Sequence, residues 1–289
     1  MNLWAHAQAA LPHHAISRLV GRLARCQWRP FAKRLNRWFA HAYRLDLSDA
    51  QRTRADDYTS FNDMFTRRLR EGARPMHGDE RTIVSPVDGT LSEFGPIDDE
   101  CLLQAKGRAY TLTALLADER GADEFRGGSF ATIYLAPYDY HRIHMPSAGS
   151  VRHMALVPGR LFSVNLATAA AVDGLFARNE RVVTTIDGRF GRFALVAVGA
   201  LNVGSIATDW HGVVTPPAAR KKALWRYDDT QVRERGAPWG HFNLGSTVIL
   251  IWPAASMALA PDLQSGQTLR VGQTIGQWNG PATAATLSP

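Results

Sequence analysis

The chain has 289 residues, 45% of them hydrophobic, which predicts one large domain or one domain with an appendage. Its two cysteines, Cys26 and Cys101, argue against a disulfide framework or a zinc cluster and favour a reducing compartment. The formal net charge of +7 suggests an anionic partner, and no run approaches the roughly 20 apolar residues that span a bilayer.

All of the excess positive charge lies in the first quarter of the chain. Residues 1–75 hold 14 Lys and Arg against 6 Asp and Glu, a net of +8, and the remainder has a net of −1. The first 44 residues contain eight basic residues and no acidic one. Such an arm suits nucleic acid or an anionic membrane surface. We expect no nucleic-acid partner, because nothing else in the chain suggests a base-reading module.

An amphipathic helix is predicted over residues 15–43, with a break or kink at Pro30. Apolar residues recur on one face, with basic residues opposite. The apolar set is Ile16, Leu19, Val20, Leu23, Phe31, Leu35, Trp38 and Phe39, and the basic set is Arg18, Arg22, Arg25, Arg29, Lys33, Arg34 and Arg37. This composition is typical of an interfacial membrane binder. The alternative is a helix packed on the protein's own core with a solvated basic face.

The pattern changes after a second predicted helix at residues 61–69. Short apolar or alternating runs bounded by turn residues predict strands at 83–84, 130–135, 151–157, 192–198 and 247–252. We therefore predict an α+β protein. Residues 1–75 form a basic, helical, membrane-associating region, and residues 76–289 form a mainly β catalytic domain.

Two turn-like segments carry candidate acid–base groups. Asp88 precedes Gly89 after a strand, where an Asp usually caps backbone N–H groups but can also be catalytic. His141 and His144 follow another strand, without the Glu, Cys or acidic cluster of a metal site, so we predict no bound metal. Histidine suits general acid–base work because its pKa lies near neutrality. Ordinary hydrogen bonding by both histidines is the alternative.

A third segment places Gly245 and Ser246 at the start of a strand. This pair is either a simple turn or a self-cleavage site, since glycine leaves its carbonyl carbon open to attack by the following hydroxyl. An Asp–His–Ser relay of Asp88, His144 and Ser246 would supply the base. A Ser-His-Asp hydrolase would use the same residues, although no Gly-x-Ser-x-Gly elbow occurs. A non-catalytic basic membrane adaptor is the remaining alternative.

Together these motifs resemble those of the bacterial phosphatidylserine decarboxylases, which are pyruvoyl-dependent proenzymes. Similarity runs in order through residues 61–75, 85–89 (the Asp motif), 140–146 (the histidine motif), 158–165, 175–181, 198–200, 202–205 and 244–247 (the processing site). The family usually has a Lys-Gly-x-Glu-like run shortly before the processing site, and residues 235–240 here lack the acid. We expect a local loop difference there, with no catalytic residue lost.

The resemblance implies a self-cleavage reaction. His144, oriented by Asp88, would deprotonate Ser246, whose oxygen attacks the carbonyl of Gly245. The precursor would separate into a large chain, 1–245, and a small chain, 246–289. Residue 246 would pass through dehydroalanine and become an N-terminal pyruvoyl group, which is the cofactor.

The resemblance also implies a second reaction, at the membrane. The pyruvoyl ketone would form a Schiff base with phosphatidylserine and release carbon dioxide, giving phosphatidylethanolamine. His141 is the candidate proton donor, and Phe162 and Ser163 are candidates for the head-group pocket. The enzyme, a carboxy-lyase of phospholipid biosynthesis made as a zymogen, would bind peripherally to the cytoplasmic face of the cell membrane. Such enzymes are often homodimers.

Overall fold

The computed structural model describes residues 13–201, 205–215, 221–228, 230–243 and 246–280. In these ranges the helices are α1 (His13–Ala24), α2 (Arg29–Ala42), α3 (Phe61–Phe65), α4 (Leu112–Leu116), α5 (Glu119–Asp123), α6 (Leu166–Ala169) and α7 (Leu175–Arg178), and a 3-10 turn spans Ala55–Asp57. None of these described helices has the length and apolar character needed to cross a bilayer.

The predicted helix over residues 15–43 is two helices, with the break at residues 25–28. Pro30 lies in the first turn of α2, where its missing N–H leaves no hydrogen bond unmade. The helix predicted over 61–69 is shorter than expected. It begins after Ser60, whose side chain accepts a hydrogen bond from the N–H of Asp63, and it ends at Phe65.

Helix α1 packs through its small residues. Its buried residues are His13, Ser17, Gly21 and Ala24, which recur at helical spacing and let the helix backbone approach the body closely. The predicted apolar face is only partly covered, because Leu19 is 59% exposed and Leu23 is 49% exposed. The same is true of Trp38 on α2, which is 58% exposed, and of Trp28 between the helices, which is 69% exposed.

The body is mainly β, as predicted. Its strands are β1 (Thr82–Val84), β2 (Gly89–Pro96), β3 (Cys101–Ala105), β4 (Arg108–Thr111), β5 (Ser129–Leu135), β6 (Arg142–His144), β7 (Gly149–Val157), β8 (Arg181–Gly188), β9 (Gly191–Val198), β10 (Ile206–Thr208), β11 (Gly212–Val213), β12 (Ala223–Arg226), β13 (Val232–Arg233), β14 (Pro238–Phe242), β15 (Ser246–Trp252), β16 (Met257–Leu259), β17 (Thr268–Leu269) and β18 (Thr274–Trp278). Each predicted strand lies within one of them.

A large antiparallel sheet forms the centre of the body. Its strand order is β12-β7-β8-β9-β15-β5-β2-β17, and β13 also pairs with β7. Every residue of β15 is buried, because both faces of the sheet are covered. Val248 and Leu250 pack into the hydrophobic cluster on one face, and Ile249 and Ile251 pack into the cluster on the other.

Smaller sheets surround this centre. One has the order β11-β10-β14-β6, another has the order β1-β18-β16, and β3 pairs with β4. Strand β14 leads through residues 243–245 into β15, so it connects the β6 sheet to the large sheet. Three of the described strands after residue 245 pair with strands before it: β15 with β5 and β9, β17 with β2, and β18 with β1.

Candidate active site

Two predicted site residues lie at the same end of the large sheet. Ser246 is the first residue of β15 and pairs with Leu135, the last residue of β5. Asp88 directly precedes β2, whose Thr90 pairs with Tyr134 on the opposite side of β5. Since β5 lies between β2 and β15, Asp88 and Ser246 are separated by the width of one strand.

The histidine motif is attached to both of these strand ends. The backbone N–H of His144 donates to the carbonyl of Pro86, in the turn that carries the aspartate, at 2.8 Å. The motif's strand β6 pairs with β14, and the N–H of Phe242 donates to the carbonyl of His141 at 3.0 Å. Strand β14, which precedes β15 in the chain, therefore runs alongside the histidine motif. Gly245, the other residue of the predicted cleavage bond, lies outside the described residues.

The imidazole of His144 is held at both nitrogens. Nδ1 lies 2.7 Å from the carbonyl oxygen of Gly236, and because a carbonyl only accepts, Nδ1 carries the proton. Nε2 lies 3.1 Å from the hydroxyl of Tyr140, which donates to it. Burial lowers the pKa of His144 and raises the pKa of Tyr140 to about 12. At neutral pH His144 is thus a neutral imidazole with a lone pair on Nε2, as a general base requires.

Asp88 is held by an ion pair with Arg74. The guanidinium donates from Nη2 to Oδ2 at 2.6 Å and from Nε to Oδ1 at 3.0 Å, and the N–H of Val271 donates to Oδ1 at 2.8 Å. We expected Asp88 to orient His144, but within the described residues no hydrogen bond joins them, and Nδ1 of His144 donates to the carbonyl of Gly236 instead. Burial lowers the pKa of His144, and the charge of Asp88 offsets part of that effect through space. Asp88 stays a predicted member of the site.

Ser246 is fully buried, and its hydroxyl has no hydrogen-bond partner in the part of the chain described. Burying a hydroxyl without a partner costs about 1–3 kcal/mol. The fold therefore gains nothing from this oxygen. An unpaired hydroxyl at the predicted cleavage bond fits a nucleophile, and a buried position at a strand end fits the pyruvoyl group that would replace it.

His141 is also fully buried. Its Nδ1 donates to the carbonyl of Asp139 at 2.9 Å, and its Nε2 has no partner among the described residues. Burial lowers the pKa of His141 to about 3, so Nε2 is unprotonated at neutral pH. The ring of Phe65 packs against the imidazole, with the centroids 4.0 Å apart. To act as the predicted proton donor, His141 must first take up a proton during the reaction.

The predicted head-group residues lie on the β9 side of Ser246. Nδ2 of Asn179 donates to the carbonyls of Phe162 and Gly199, both at 2.9 Å, and Gly199 follows the β9 residue that pairs with Thr247. Phe162 is buried, its N–H donates to Oδ1 of Asn179 at 3.1 Å, and its ring packs edge-on against His13. A cavity of about 340 Å³ reaches His144, but neither Phe162 nor Ser163 lines it. Their role in substrate binding stays a prediction.

Three residues that hold the site were assigned no role from the sequence: Arg74, Tyr140 and Gly236. Each lies in a segment whose sequence was compared with the family, and position 236 in addition requires glycine. Its φ is +80°, in the left-handed region that favours glycine, and a Cβ there would lie 2.7 Å from Sδ of Met76. The segment that departs from the family pattern therefore supplies the carbonyl that fixes the tautomer of His144.

Two arginines link the segment after α3 to the histidine motif, each by hydrogen bonds to backbone carbonyls of the other segment. Arg67, which is buried, donates from Nη2 to the carbonyls of Tyr138 and Asp139 at 3.1 and 3.2 Å. In return, Nε of Arg142 donates to the carbonyl of Thr66 at 2.9 Å. The helical region is thus bonded to the backbone that carries both histidines.

The helical region also contacts the segment before the predicted cleavage bond. Nδ2 of Asn62 donates to Oδ1 of Asn243 at 3.0 Å, and Nδ2 of Asn243 donates to Oγ of Ser205 at 2.6 Å. The bond from Asn62 and the ion pair between Arg74 and Asp88 both cross the predicted domain boundary at residue 75. Residues 62–74 therefore contribute to the site as well as to the N-terminal region.

Comparison with known proteins identifies the family. A family model described as phosphatidylserine decarboxylase matches residues 61–277, and a second model, described as PSD, matches residues 3–44. Relatives named phosphatidylserine decarboxylase proenzyme cover nearly the whole chain. One from Pseudomonas fluorescens is 47% identical over 279 residues, which is 95% of this chain and 96% of its own. One from Dechloromonas aromatica is 44% identical over 271 residues, which is 93% of this chain and 95% of its own. One from Shewanella denitrificans is 45% identical over 278 residues, which is 94% of this chain and 96% of its own. The chain therefore belongs to the phosphatidylserine decarboxylase family.

Proposed function

We propose that this protein is a proenzyme that cleaves itself between Gly245 and Ser246 and then decarboxylates phosphatidylserine to phosphatidylethanolamine. Family membership supports the reaction, and the relatives are named proenzymes. The structural observation that carries the proposal is the hydroxyl of Ser246, which is buried at the start of the central strand without a hydrogen-bond partner among the described residues.

Self-cleavage begins when Oγ of Ser246 attacks the carbonyl carbon of Gly245 and its proton passes to a base, the role we assign to Nε2 of His144. The peptide C–N bond breaks as the ester forms, which frees the amine of residue 246. Elimination then breaks the Cβ–O bond, releasing the large chain with a terminal carboxylate and leaving dehydroalanine. Addition of water and loss of ammonia convert this residue to the pyruvoyl group.

The pyruvoyl group, once formed, supplies the electron sink for loss of carbon dioxide. The chain's own residues provide its surroundings. Position 246 is buried between β5 and β9, which keeps water from the reacting carbon. The histidine motif carries the unprotonated Nε2 of His141, which has no partner among the described residues, and the protonated hydroxyl of Tyr140 keeps the ring of His144 in place.

The purified wild-type protein should therefore consist of two chains. By residue count, 44 of 289 residues, the small chain should be about 5 kDa and the large chain about 27 kDa of the 31.9 kDa total. Intact-mass measurement should find a pyruvoyl terminus on the small chain, and phosphatidylserine in detergent micelles should yield phosphatidylethanolamine. Borohydride, which reduces ketones, should abolish the activity. A single intact chain that forms no product would refute the proposal.

We further propose that the enzyme is a peripheral protein on the anionic, cytoplasmic face of the membrane. The support is the exposed apolar side chains of Leu19, Leu23 and Trp28, which share the N-terminal helical region with exposed arginines such as Arg18 and Arg22. Each basic residue near an anionic surface contributes on the order of 1 kcal/mol. The homodimer suggested by the resemblance stays a prediction.

Replacing Leu19, Leu23 and Trp28 together with serine should lower affinity for anionic vesicles at least tenfold, because burial of one such side chain contributes about 1.5–3 kcal/mol. The measurement is co-sedimentation with vesicles containing phosphatidylserine. Self-cleavage should be unchanged, since all three side chains are exposed.

The matched control for this variant replaces three exposed apolar residues of the body, Leu103, Val213 and Leu224, with serine. It should sediment like the wild type. A separate variant with Arg18 and Arg22 changed to glutamine should lose binding mainly at low salt, where charges are screened least. If the first triple variant sediments like the wild type, the membrane surface has been assigned to the wrong residues.

A further inference from the structure

A cavity of about 340 Å³ lies between the end of the helical region and the histidine motif. His144 and Tyr140 line one part of it. Its other polar lining is dominated by four arginines: Arg68, Arg70, Arg74 and Arg142. Asp209 is the carboxylate among the described lining residues. A basic cavity that reaches the proposed general base is unexplained by the self-cleavage reaction.

The positive charge of this cavity is largely uncompensated. Arg74 pairs with Asp88 and with Asp49, and Asp209 pairs with Arg233, which does not line the cavity. The three remaining arginines, Arg68, Arg70 and Arg142, have no carboxylate partner in the described part of the chain. Burial, together with the charge of Arg68, lowers the pKa of Arg142. Guanidinium groups gathered in this way favour an anion between them.

Arg142 is oriented for such a ligand. Its Nε donates to the carbonyls of Thr66 and Arg67 at 2.9 and 3.3 Å, which fixes the plane of the guanidinium. Its two Nη groups have no hydrogen-bond acceptor among the described residues, and the residue lines the cavity. A fixed guanidinium with both Nη groups available matches the two oxygens of a phosphate or carboxylate. Arg68 and Arg70 are exposed, so they stand where the cavity meets solvent.

We propose that this cavity binds the phosphodiester of the lipid head group, with Arg142 as its central ligand and Arg68 and Arg70 at its mouth. The inference rests on the proposed function. The substrate has two anionic groups, a carboxylate and a phosphodiester, and only the carboxylate loses its charge in the reaction. An arginine bound to the departing carboxylate would stabilise the ground state more than the transition state, in which that charge is lost. The phosphodiester keeps its charge throughout, so binding it does not slow the reaction.

The test compares two substrates that differ in the phosphate. Short-chain phosphatidylserine carries the phosphodiester, whereas O-octanoyl-L-serine keeps the amine and the carboxylate but has no phosphate. Arg142→Gln should raise KM for phosphatidylserine about tenfold or more, as loss of a charge-assisted hydrogen bond predicts. The Arg68→Ala/Arg70→Ala double variant should raise it severalfold. The double variant should leave kcat/KM for O-octanoyl-L-serine at the wild-type value. Arg142→Gln also removes the Nε hydrogen bonds to Thr66 and Arg67, so its readout is the ratio of kcat/KM for phosphatidylserine to kcat/KM for O-octanoyl-L-serine, which should fall about tenfold or more.

The controls separate this inference from others. The two-chain pattern on a denaturing gel reports folding of each variant, and Arg120→Ala/Arg226→Ala removes two exposed arginines remote from the cavity lining. A wild type that turns over both substrates with equal kcat/KM overturns the phosphodiester site, and so do variants that affect both substrates equally. A wild type that is inactive on phosphatidylserine instead refutes the proposed function itself.

Discussion

Replacing Ser246 with alanine should leave a single chain of 31.9 kDa and reduce phosphatidylethanolamine formation to background. Both effects have one cause, because this side chain supplies the nucleophile for cleavage and the atoms from which the pyruvoyl group is made. The fold should be unaffected or slightly more stable. The hydroxyl has no partner in the described structure, and removing a buried unpaired hydroxyl relieves a cost of about 1–3 kcal/mol.

Ser17 provides the matched control, since it is another buried serine whose hydroxyl has no partner in the described residues. Ser17→Ala should cleave and decarboxylate like the wild type. The two alternatives drawn from the sequence give different results. A Ser-His-Asp hydrolase would be one intact chain already in the wild type, and a membrane adaptor would be unchanged by the alanine at position 246.

Replacing His144 with alanine should slow self-cleavage by about 10²–10⁴-fold, the usual contribution of a general base. The rate is measurable as the disappearance of precursor after cell-free synthesis. The pH profile of the wild type gives a second readout. Burial lowers the pKa of His144 from its ordinary value of 6.5, and the base must be neutral to accept a proton. Cleavage should therefore stay fast down to pH 6.5 and be lost only as the pH falls below that value.

His41, exposed on α2, is the control for the loss of a histidine, and His41→Ala should cleave at the wild-type rate. An unchanged rate in His144→Ala would assign the base to another group. A rate that already falls above pH 6.5 would show that the titrating group is not a histidine with a lowered pKa.

Much of the fold was predictable because the strands are apolar runs between turn residues. Strand β8, which was not predicted, shows where this reasoning stops. It begins with Arg181, a residue that is usually exposed. Here the guanidinium is buried and donates to the carbonyls of Ala114, Leu115, Ala177 and Asn179 at 2.6 to 2.9 Å, at the ends of α4 and α7. Ala114 and Leu115 lie more than 60 residues away in the chain, and their backbone carbonyls leave no pattern in the sequence around Arg181.

The same limit applies to the site. The motifs indicated candidate reactive side chains, because chemistry restricts residue type at such positions. They did not identify what orients them. His144 is fixed by the backbone carbonyl of Gly236, and Asp88 is fixed by Arg74, which lies in the region predicted to associate with the membrane. Every residue has a backbone carbonyl, so residue type does not indicate which carbonyl will bind His144. Arg74 and Asp88 are 14 residues apart, and only the fold brings them together.

The central place of β15 has a consequence for the life of the mature protein. Cleavage before Ser246, as proposed, would leave the sheet's middle strand on the small chain, hydrogen-bonded on one side to β5 and on the other to β9. Cleavage thus changes folding from a unimolecular to a bimolecular reaction. The precursor folds as one chain, whereas the mature protein, once unfolded, can refold only when its two chains meet. Folding must precede cleavage, and afterwards the enzyme's persistence depends on how slowly it unfolds.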